Sequence, residues 1–364
     1  MHVLAFGSYD ADRHPRVAVL LEGLRSRGVD VDECNVPLRL DTADRVRILR
    51  QPWRLPLLAL ELARTWWTLA RRARRLPRPD AVLVGYLGHF DVLLARRLFS
   101  RVTVVHDLLV FASDTARDRG AGGLKQRLLR RLDSAAIAAS DVLVVDTEEH
   151  RRMLPPDRLG DGVVVPVGAP RAWLAPEPTA REQPLRVVFF GLYTPLQGAP
   201  TIGEALGLLA DEPGVEVTMV GSGQDLARTR QLAAANPRVS WHDWVAPADL
   251  PSLVQAHDVC LGIFAAEGKG TRVVPNKVYQ GAAAGCAVVT SDTAPQRAVL
   301  GEAAVLVEPG SAKDLARALQ QLAADPDRVL ALRRAAWDLA RTTYLPEAVV
   351  TPLLDHLRQK GLPG

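Results

Sequence analysis

The chain has 364 residues, room for two domains at about 150 residues each. Hydrophobic residues make up 48% and charged residues 24%, a globular balance that excludes a mainly disordered chain. A net charge of +4 is too small to argue for nucleic acid, and 5% aromatic residues are too few for base-stacking platforms.

Short apolar, β-branched runs predict strands at 3–6, 29–34, 81–84, 102–105, 142–145 and 163–165. Helical stretches are expected between them at about 15–27, 55–76, 91–99, 121–139 and 147–154. A Pro-rich passage from Pro166 through Pro170, Pro176, Pro178 and Pro184 then punctuates the chain. The pattern restarts with strands expected at 185–190, 215–220, 239–241, 259–263, 287–290 and 304–307. Helices are expected near 199–211, 224–235, 249–256, 275–284 and 311–324, and the tail is helical over about 326–343 and 346–361. Continuous apolar strands alternating with helices read as parallel sheets covered on both faces. The expected division is a Rossmann-like α/β domain over 1–168, a linker over 169–184 and a second such domain over 185–345. A final segment, 346–364, would pack back on the first domain. Two facing doubly wound domains would bind ligand in the cleft between them.

The most informative stretch is Glu267-Gly268-Lys269-Gly270-Thr271-Arg272-Val273-Val274-Pro275-Asn276-Lys277-Val278-Tyr279-Gln280. It holds two of the five lysines, follows a predicted strand and opens a predicted helix. Glycines let a backbone approach a ligand, and Pro275 suits a first helical position. A helix amino terminus beside Lys269, Arg272 and Lys277 suits a diphosphate. Asn276, Lys277 and Gln280 share a helix face by spacing. Two further glycine turns, Gly191 to Gly198 with Gln197, and Gly221-Ser222-Gly223, follow predicted strands. The second is an incomplete dinucleotide fingerprint, because Leu226 stands where its third glycine belongs.

In the first half, Gly7-Ser8-Tyr9-Asp10 ends a strand, and Arg13-His14-Pro15-Arg16 starts a helix. His106 ends another strand and could donate to a substrate or serve as acid or base. Asp118 and Arg119 lie downstream. The stretch 53–78 combines Trp53, Trp66 and Trp67 with seven arginines, Arg54 among them, and holds no acid between Leu62 and Asp80; Arg45, Arg47 and Arg50 extend the charge upstream. It reads either as a packed amphipathic helix or as a helix for the headgroup layer of an anionic membrane. The first residues are too short an apolar stretch for a signal peptide, and no run of 18 apolar residues would span a membrane. Cys34, Cys260 and Cys286 are too far apart for a metal knot or a disulfide framework, and no metal motif is visible.

The second half resembles the donor domain of the family-four glycosyltransferases, retaining enzymes of the GT-B fold. The resemblance runs through Gly191…Gly198, Val220-Gly221-Ser222-Gly223, Ala256-His257-Asp258 and Pro275-Asn276-Lys277 through Gly285 to Asp292, closing on Glu308-Pro309-Gly310. It covers most of 185–325. It implies transfer of a sugar from a nucleoside diphosphate sugar to an acceptor hydroxyl with retained configuration, without a metal and with no further cofactor. Donor contacts are then expected from Gly7, Gly191, Gln197, Gly198, Gly221, Gly223, Lys269, Gly270, Thr271, Pro275, Asn276 and Gln280. His106, Arg272 and Lys277 would carry the catalytic roles, with His106 touching the transferred sugar. Tyr9, Asp10, Asp118 and Arg119 are acceptor-side candidates.

The chain departs from the family where Arg272 and Gln280 occupy the two positions of a Glu-x7-Glu pair. Leu192 and Gln197 stand in place of the family's Arg and Lys. The cations Lys269, Arg272 and Lys277 are expected to replace that charge. Acceptors in keeping with the sequence are a glycan, a lipid-linked sugar or a small natural product. The expected location is cytoplasmic, with peripheral contact at the inner membrane face through 53–78 if that helix binds lipid. A non-catalytic nucleotide-sugar subunit and a GT-B epimerase remain alternatives. A nicotinamide dehydrogenase is disfavoured by the incomplete glycine fingerprint.

Overall fold

The computed structural model describes residues 1–11, 15–38, 55–118, 122–181 and 183–363. Among these, the chain forms two compact units. Unit 1 comprises 1–145, 151–165 and 350–364; unit 2 comprises 146–150 and 166–349.

Unit 1 runs β1 (His2–Gly7), α1 (Pro15–Ser26), β2 (Asp30–Asn35), α2 (Leu55–Ala73), β3 (Ala81–Val84), α3 (Asp91–Leu98), β4 (Thr103–Asp107), α4 (Ala112–Asp118), α5 (Gly123–Ala138), β5 (Val142–Val145) and β6 (Gly162–Val164). The strands form a six-stranded parallel sheet in the order β2-β1-β3-β4-β5-β6. Its inner strands are Val-rich and buried along their whole length, as in β3 and β5. This is the pattern of strands covered on both faces. One core, around Leu4, Phe6, Val82 and Val104, is closed by Leu69 and Ala73 of α2, Val92 and Ala95 of α3, and Ala136 of α5. A smaller core gathers Leu108, Phe111, Ile137, Leu143 and Leu154.

Residues Glu148–Arg151 form the short α6. Unit 2 continues with β7 (Leu185–Phe190), α7 (Ala199–Leu208), β8 (Val215–Val220), α8 (Leu226–Leu232), β9 (Val239–His242), α9 (Leu250–Gln255), β10 (Val259–Leu261), α10 (Asn276–Ala283), β11 (Ala287–Ser291), α11 (Ala294–Leu300), β12 (Ala304–Val307), α12 (Ala312–Ala324), α13 (Pro326–Leu339) and α14 (Pro346–Val349). Its parallel sheet has the order β12-β11-β10-β7-β8-β9, the dinucleotide-binding arrangement with β7 and β10 at its centre. Phe189, Ile202, Leu206, Met219, Leu261 and Leu319 lie in the core. Helix starts follow their local chemistry. Ser311 caps α12 by accepting from the Asp314 amide at 3.2 Å, and Asp325 caps α13 through the Arg328 amide at 2.9 Å.

The Pro-rich passage expected as a linker over 169–184 packs onto unit 2. Trp173 stacks on Phe190 at 5.5 Å, Trp337 Nε1 donates to the Ala175 carbonyl at 2.8 Å, and Arg333 Nη1 donates to the Thr179 carbonyl at 2.8 Å. The final helix, α15 (Thr351–Gln359), belongs to unit 1. There Arg27 Nη2 donates to Thr351 Oγ1 at 3.0 Å and Lys360 Nζ to Asp161 Oδ1 at 2.6 Å.

Candidate functional site

In an open parallel sheet, a crevice forms beyond the carboxyl ends of the strands where the order reverses. In unit 2 that point lies between β7 and β10. Here β7 ends in Gly191, and the chain passes through a 3-10 turn, Pro195–Gln197, to Gly198, which opens α7 in the left-handed region at φ 62°. A Cβ on Gly198 would lie 2.4 Å from the Phe264 carbonyl carbon, and one on Gly221 would lie 2.0 Å from the Gly191 oxygen. Gly223 is closed off by Tyr193 in the same way. Thus Gly198, Gly221 and Gly223, expected as donor contacts, have no room for a side chain because neighbouring turns pack against them.

Gly191 differs. The space its Cβ would fill is bounded by Lys277, with Nζ 3.2 Å away. Lys277 lies on α10, which packs tightly on β10; a Cβ on Gly281 would meet Cys260 at 2.6 Å. From there the lysine side chain reaches back across the strand ends. Its Nζ donates to Gln197 Oε1 at 2.5 Å and sits 3.6 Å from the centre of the Phe189 ring. The ammonium is therefore held by an amide oxygen and an aromatic face, and among the described residues no carboxylate pairs with it. Burial pushes the Lys277 amine down to about 7, against a small opposing effect of Cys260. A buried amine that titrates near neutrality among neutral partners is a ready binding group for an anion.

The loop before α10 carries the other expected donor residues. Lys269 is buried in a 3-10 turn, Gly268–Thr271. Gly270 packs so closely that its Cβ would meet Ala265 at 2.6 Å and the Leu196 oxygen at 3.1 Å. Thr271 Oγ1 donates to the Gly268 carbonyl at 3.0 Å. Arg272 is half-buried, and its carbonyl accepts from Thr147 Oγ1 at 3.0 Å. Pro275 is the cap residue of α10 rather than its first helical residue, since it keeps an extended backbone at φ −76° and ψ 157°. Asn276 is half-buried, while Lys277 and Gln280 are buried together. Of the three cations, Lys277 is the one whose charged atom the structure brings to Gly191 and Gln197.

Unit 1 has its own switch point, between β1 and β3. Gly7 ends β1 at φ 143°, and a Cβ there would lie 2.9 Å from Asp91 Oδ2. That carboxylate ties the turn by accepting from the Ser8 amide and Ser8 Oγ, each at 2.7 Å, and from Trp66 Nε1 at 3.2 Å. Gly7 thus makes room for Asp91. Tyr9 is buried, and its hydroxyl donates to Glu33 at 2.9 Å, so it anchors this edge of the sheet. Burial, reinforced by Glu33, pushes that phenol up. Asp10 is half-buried. Asp118 ends α4, and its side chain lies outside the described residues, as do Arg13, His14, Arg45, Arg47, Arg50, Trp53, Arg54 and Arg119.

His106, at the end of β4, is fully buried, and among the described residues neither of its ring nitrogens has a hydrogen-bond partner. Burial, reinforced by the neighbouring His89, holds its pKa well below the usual imidazole value. It is therefore neutral, with one donor and one acceptor to offer a hydroxylated ligand. His89 meets it edge to face, ring centres 5.5 Å apart, and presents its own Nε2 3.3 Å from Asp133 Oδ1. Asp133 is buried, yet hydrogen bonds from His89 and Ser113 hold its carboxyl below the usual range. It also accepts from the Ala112 and Ser113 amides at 2.9 and 3.0 Å, fixing the start of α4. The loop carrying His89 contains Leu87 at φ 63°, a strained conformation for a branched side chain. Beside His106, Asp107 is occupied with structure. Arg16 holds it at 3.1 and 3.2 Å while donating to the Val165 carbonyl at 2.9 Å.

Sequence reading missed His89, Asp133 and Thr147. His89 and Thr147 are single polar residues in irregular stretches, and Asp133 is one acid on the buried side of α5; none carries a spacing signal. The Leu87-Gly88 pair before His89 was the available hint of an unusual turn. Among the described residues, no three His, Cys, Asp or Glu side chains gather as a metal site, and no helix is long and apolar enough to cross a membrane.

Two doubly wound parallel sheets, with a buried cation at the switch point of the second, define an α/β protein of nucleotide-binding architecture. The fold is GT-B. It is similar over 99% of both chains to sucrose-phosphate synthase from Thermosynechococcus elongatus, with a TM-score of 0.73 at 15% identity. It is similar over 98% of this chain and 99% of the other to Anabaena HepE in complex with UDP-glucose, with a TM-score of 0.68 at 14% identity. A glycosyltransferase from Rickettsia africae matches over 98% of each chain, with a TM-score of 0.64 at 12% identity. Residues 184–325, within the second unit, match the family model of the glycosyl transferases group 1. None of the curated proteins compared with the chain matches it.

Proposed function

We propose that the chain transfers a sugar from a nucleoside diphosphate sugar to an acceptor hydroxyl, with retention of configuration and without a metal. The observation that carries this reading is the buried Lys277 ammonium beside Gly191 and Gln197, at the switch point of a group 1 glycosyl transferase domain. Gln197 stands where the resemblance calls for a lysine, and Lys277 delivers its amine to the end of that glutamine. The missing charge is thus supplied from α10 instead of from the turn after β7. HepE, similar in fold, binds UDP and UDP-glucose, which supports the same donor class here.

In this reading Lys277 neutralises the leaving diphosphate, helped by Arg272 and Lys269 from the loop before α10. Gln280 accepts hydroxyls of the ribose. His106, neutral and unpartnered, hydrogen-bonds a hydroxyl of the transferred sugar and orients it. The acceptor oxygen forms its bond to the anomeric carbon on the face that the diphosphate leaves. Its proton passes to a leaving-group oxygen as the glycosidic phosphate bond breaks. The nucleotide sugar is a co-substrate, and no other cofactor is called for. The acceptor is a glycan, a lipid-linked sugar or a small natural product, and the setting is cytoplasmic.

Calorimetric titration with UDP, GDP and dTDP, with and without a chelator, tests the donor site. Binding of one nucleotide that is unchanged by the chelator and lost in Lys277→Met supports the reading. Absence of binding to all three contradicts it.

A further inference from the structure

We propose that the outer face of the α2, α3 and α5 layer in unit 1 is a docking surface for an anionic lipid bilayer. The inner sides of these helices share one core: Leu69 and Ala73 of α2, Val92 and Ala95 of α3, and Ala136 of α5. Adjacent tryptophans on α2 face opposite ways. Trp66 is half-buried and donates to Asp91, whereas Trp67 is 64% exposed. The membrane reading of this stretch therefore falls to Trp67 alone among its described tryptophans.

Leu60, Arg64, Trp67 and Arg71 are all exposed and recur at helical spacing along one stripe of α2. The Arg71 guanidinium lies 5.5 Å from the centre of the Trp67 ring. On α5 the stripe Leu124, Arg127, Leu128 and Arg131 repeats the pattern, with the two leucines 73% and 55% exposed. Phe90, immediately before α3, is 46% exposed. Single exposed apolar residues are ordinary on a protein surface. Here they recur on neighbouring elements, and on α2 and α5 they alternate with arginine.

Charge selects the occupant. The three helices expose Arg64, Arg71, Arg72, Arg97, Arg127, Arg130 and Arg131. They expose no acid among the described residues: Glu61 is half-buried, and Asp91 and Asp133 are buried and hold Ser8 and the start of α4. Guanidinium groups would stay at the lipid phosphates while Trp67, Leu60, Leu124 and Leu128 enter the acyl boundary. A nucleic acid would use the arginines and leave the leucines without a partner.

The inference concerns unit 1 and does not rest on the donor site. The test is co-sedimentation of the full chain with vesicles of phosphatidylcholine alone and of phosphatidylcholine with phosphatidylglycerol. UDP affinity is measured on the same samples. The expected result is sedimentation with the anionic vesicles alone, weakened by added salt. It should fall about tenfold or more in the Trp67→Ser/Leu128→Ser double variant, while UDP affinity and the thermal midpoint stay unchanged. No sedimentation with anionic vesicles while UDP still binds would overturn the docking surface and leave the donor reading intact. So would equal sedimentation of the double variant, or capture of single-stranded RNA by native and variant chains alike without vesicle binding.

Discussion

The two units build the same kind of sheet and end it in opposite electrostatic conditions. At the switch point of unit 2 stands a cation, Lys277, whose neighbours are an amide oxygen and an aromatic face. At the end of β4 in unit 1 stands His106, kept neutral by burial and by His89, with neither nitrogen partnered among the described residues. Each is an unmet polar demand inside a packed domain, where such groups are costly. One demand is for an anion, the other for a hydroxyl. The shared topology fixes where a ligand can lie, and a handful of side chains around each strand end decides what its charge must be.

The largest effect should come from removing the unit 2 cation. Lys277→Met should weaken UDP binding by about a hundredfold or more, because it strips a buried charged contact from the diphosphate. The same change should raise folding stability by about 0.5–2 kcal/mol, since the amine is buried without an anion in the free protein. Calorimetry and thermal melts read the two effects separately. A variant that binds UDP normally would break the comparison.

Replacing the unit 1 histidine should sharpen it. His106→Phe should lower turnover about 10- to 100-fold through the lost sugar hydrogen bond while leaving UDP affinity intact. Its melting temperature should hold or rise, because two orphaned nitrogens are removed. Equal loss of UDP affinity and turnover would mean that His106 is not specific to the sugar.

The pH response should also separate the two sites. Lys277 has a folded-state pKa of about 7, lowered by burial from that of an ordinary lysine. The free protein loses this charge as pH rises through about 7, so UDP affinity should fall by about tenfold per pH unit above it. Over the same range the unfolded chain holds a proton that the native one has released, so fold stability should rise with pH. Both slopes should vanish in Lys277→Met. His106 is neutral throughout and should contribute neither.

A smaller effect is expected from the turns that carry the unit 2 crevice. Gly198→Ala places a Cβ 2.4 Å from the Phe264 carbonyl carbon at a left-handed backbone position. It should cost roughly 2–4 kcal/mol in chemical unfolding. A neutral outcome would mean that the turn can shift without loss.

Much of this architecture was legible because buried parallel strands write themselves as uninterrupted apolar runs. Expected and observed bounds agree at 81–84, 142–145, 185–190, 215–220 and 304–307. The short helices α4 and α11 were not foreseen. Each has seven residues, too few to show a helical period. Lys277 and Gln197 were both singled out, but the bond between them joins residues 80 apart, and spacing cannot show that contact. The opposite facing of Trp66 and Trp67 was equally hidden, because the stretch was read by composition and its charge is basic all along. His89 became visible only through the fold, since its partner His106 lies on the next strand of the sheet.

The most direct test of the central claim counts protons. UDP is titrated into the chain at about pH 8.5 in buffers of different ionisation enthalpy. If Lys277 meets the diphosphate, nearly one proton is taken up on binding, and Lys277→Met takes up none. UDP binding without proton uptake would show that the diphosphate lies elsewhere and would contradict the account.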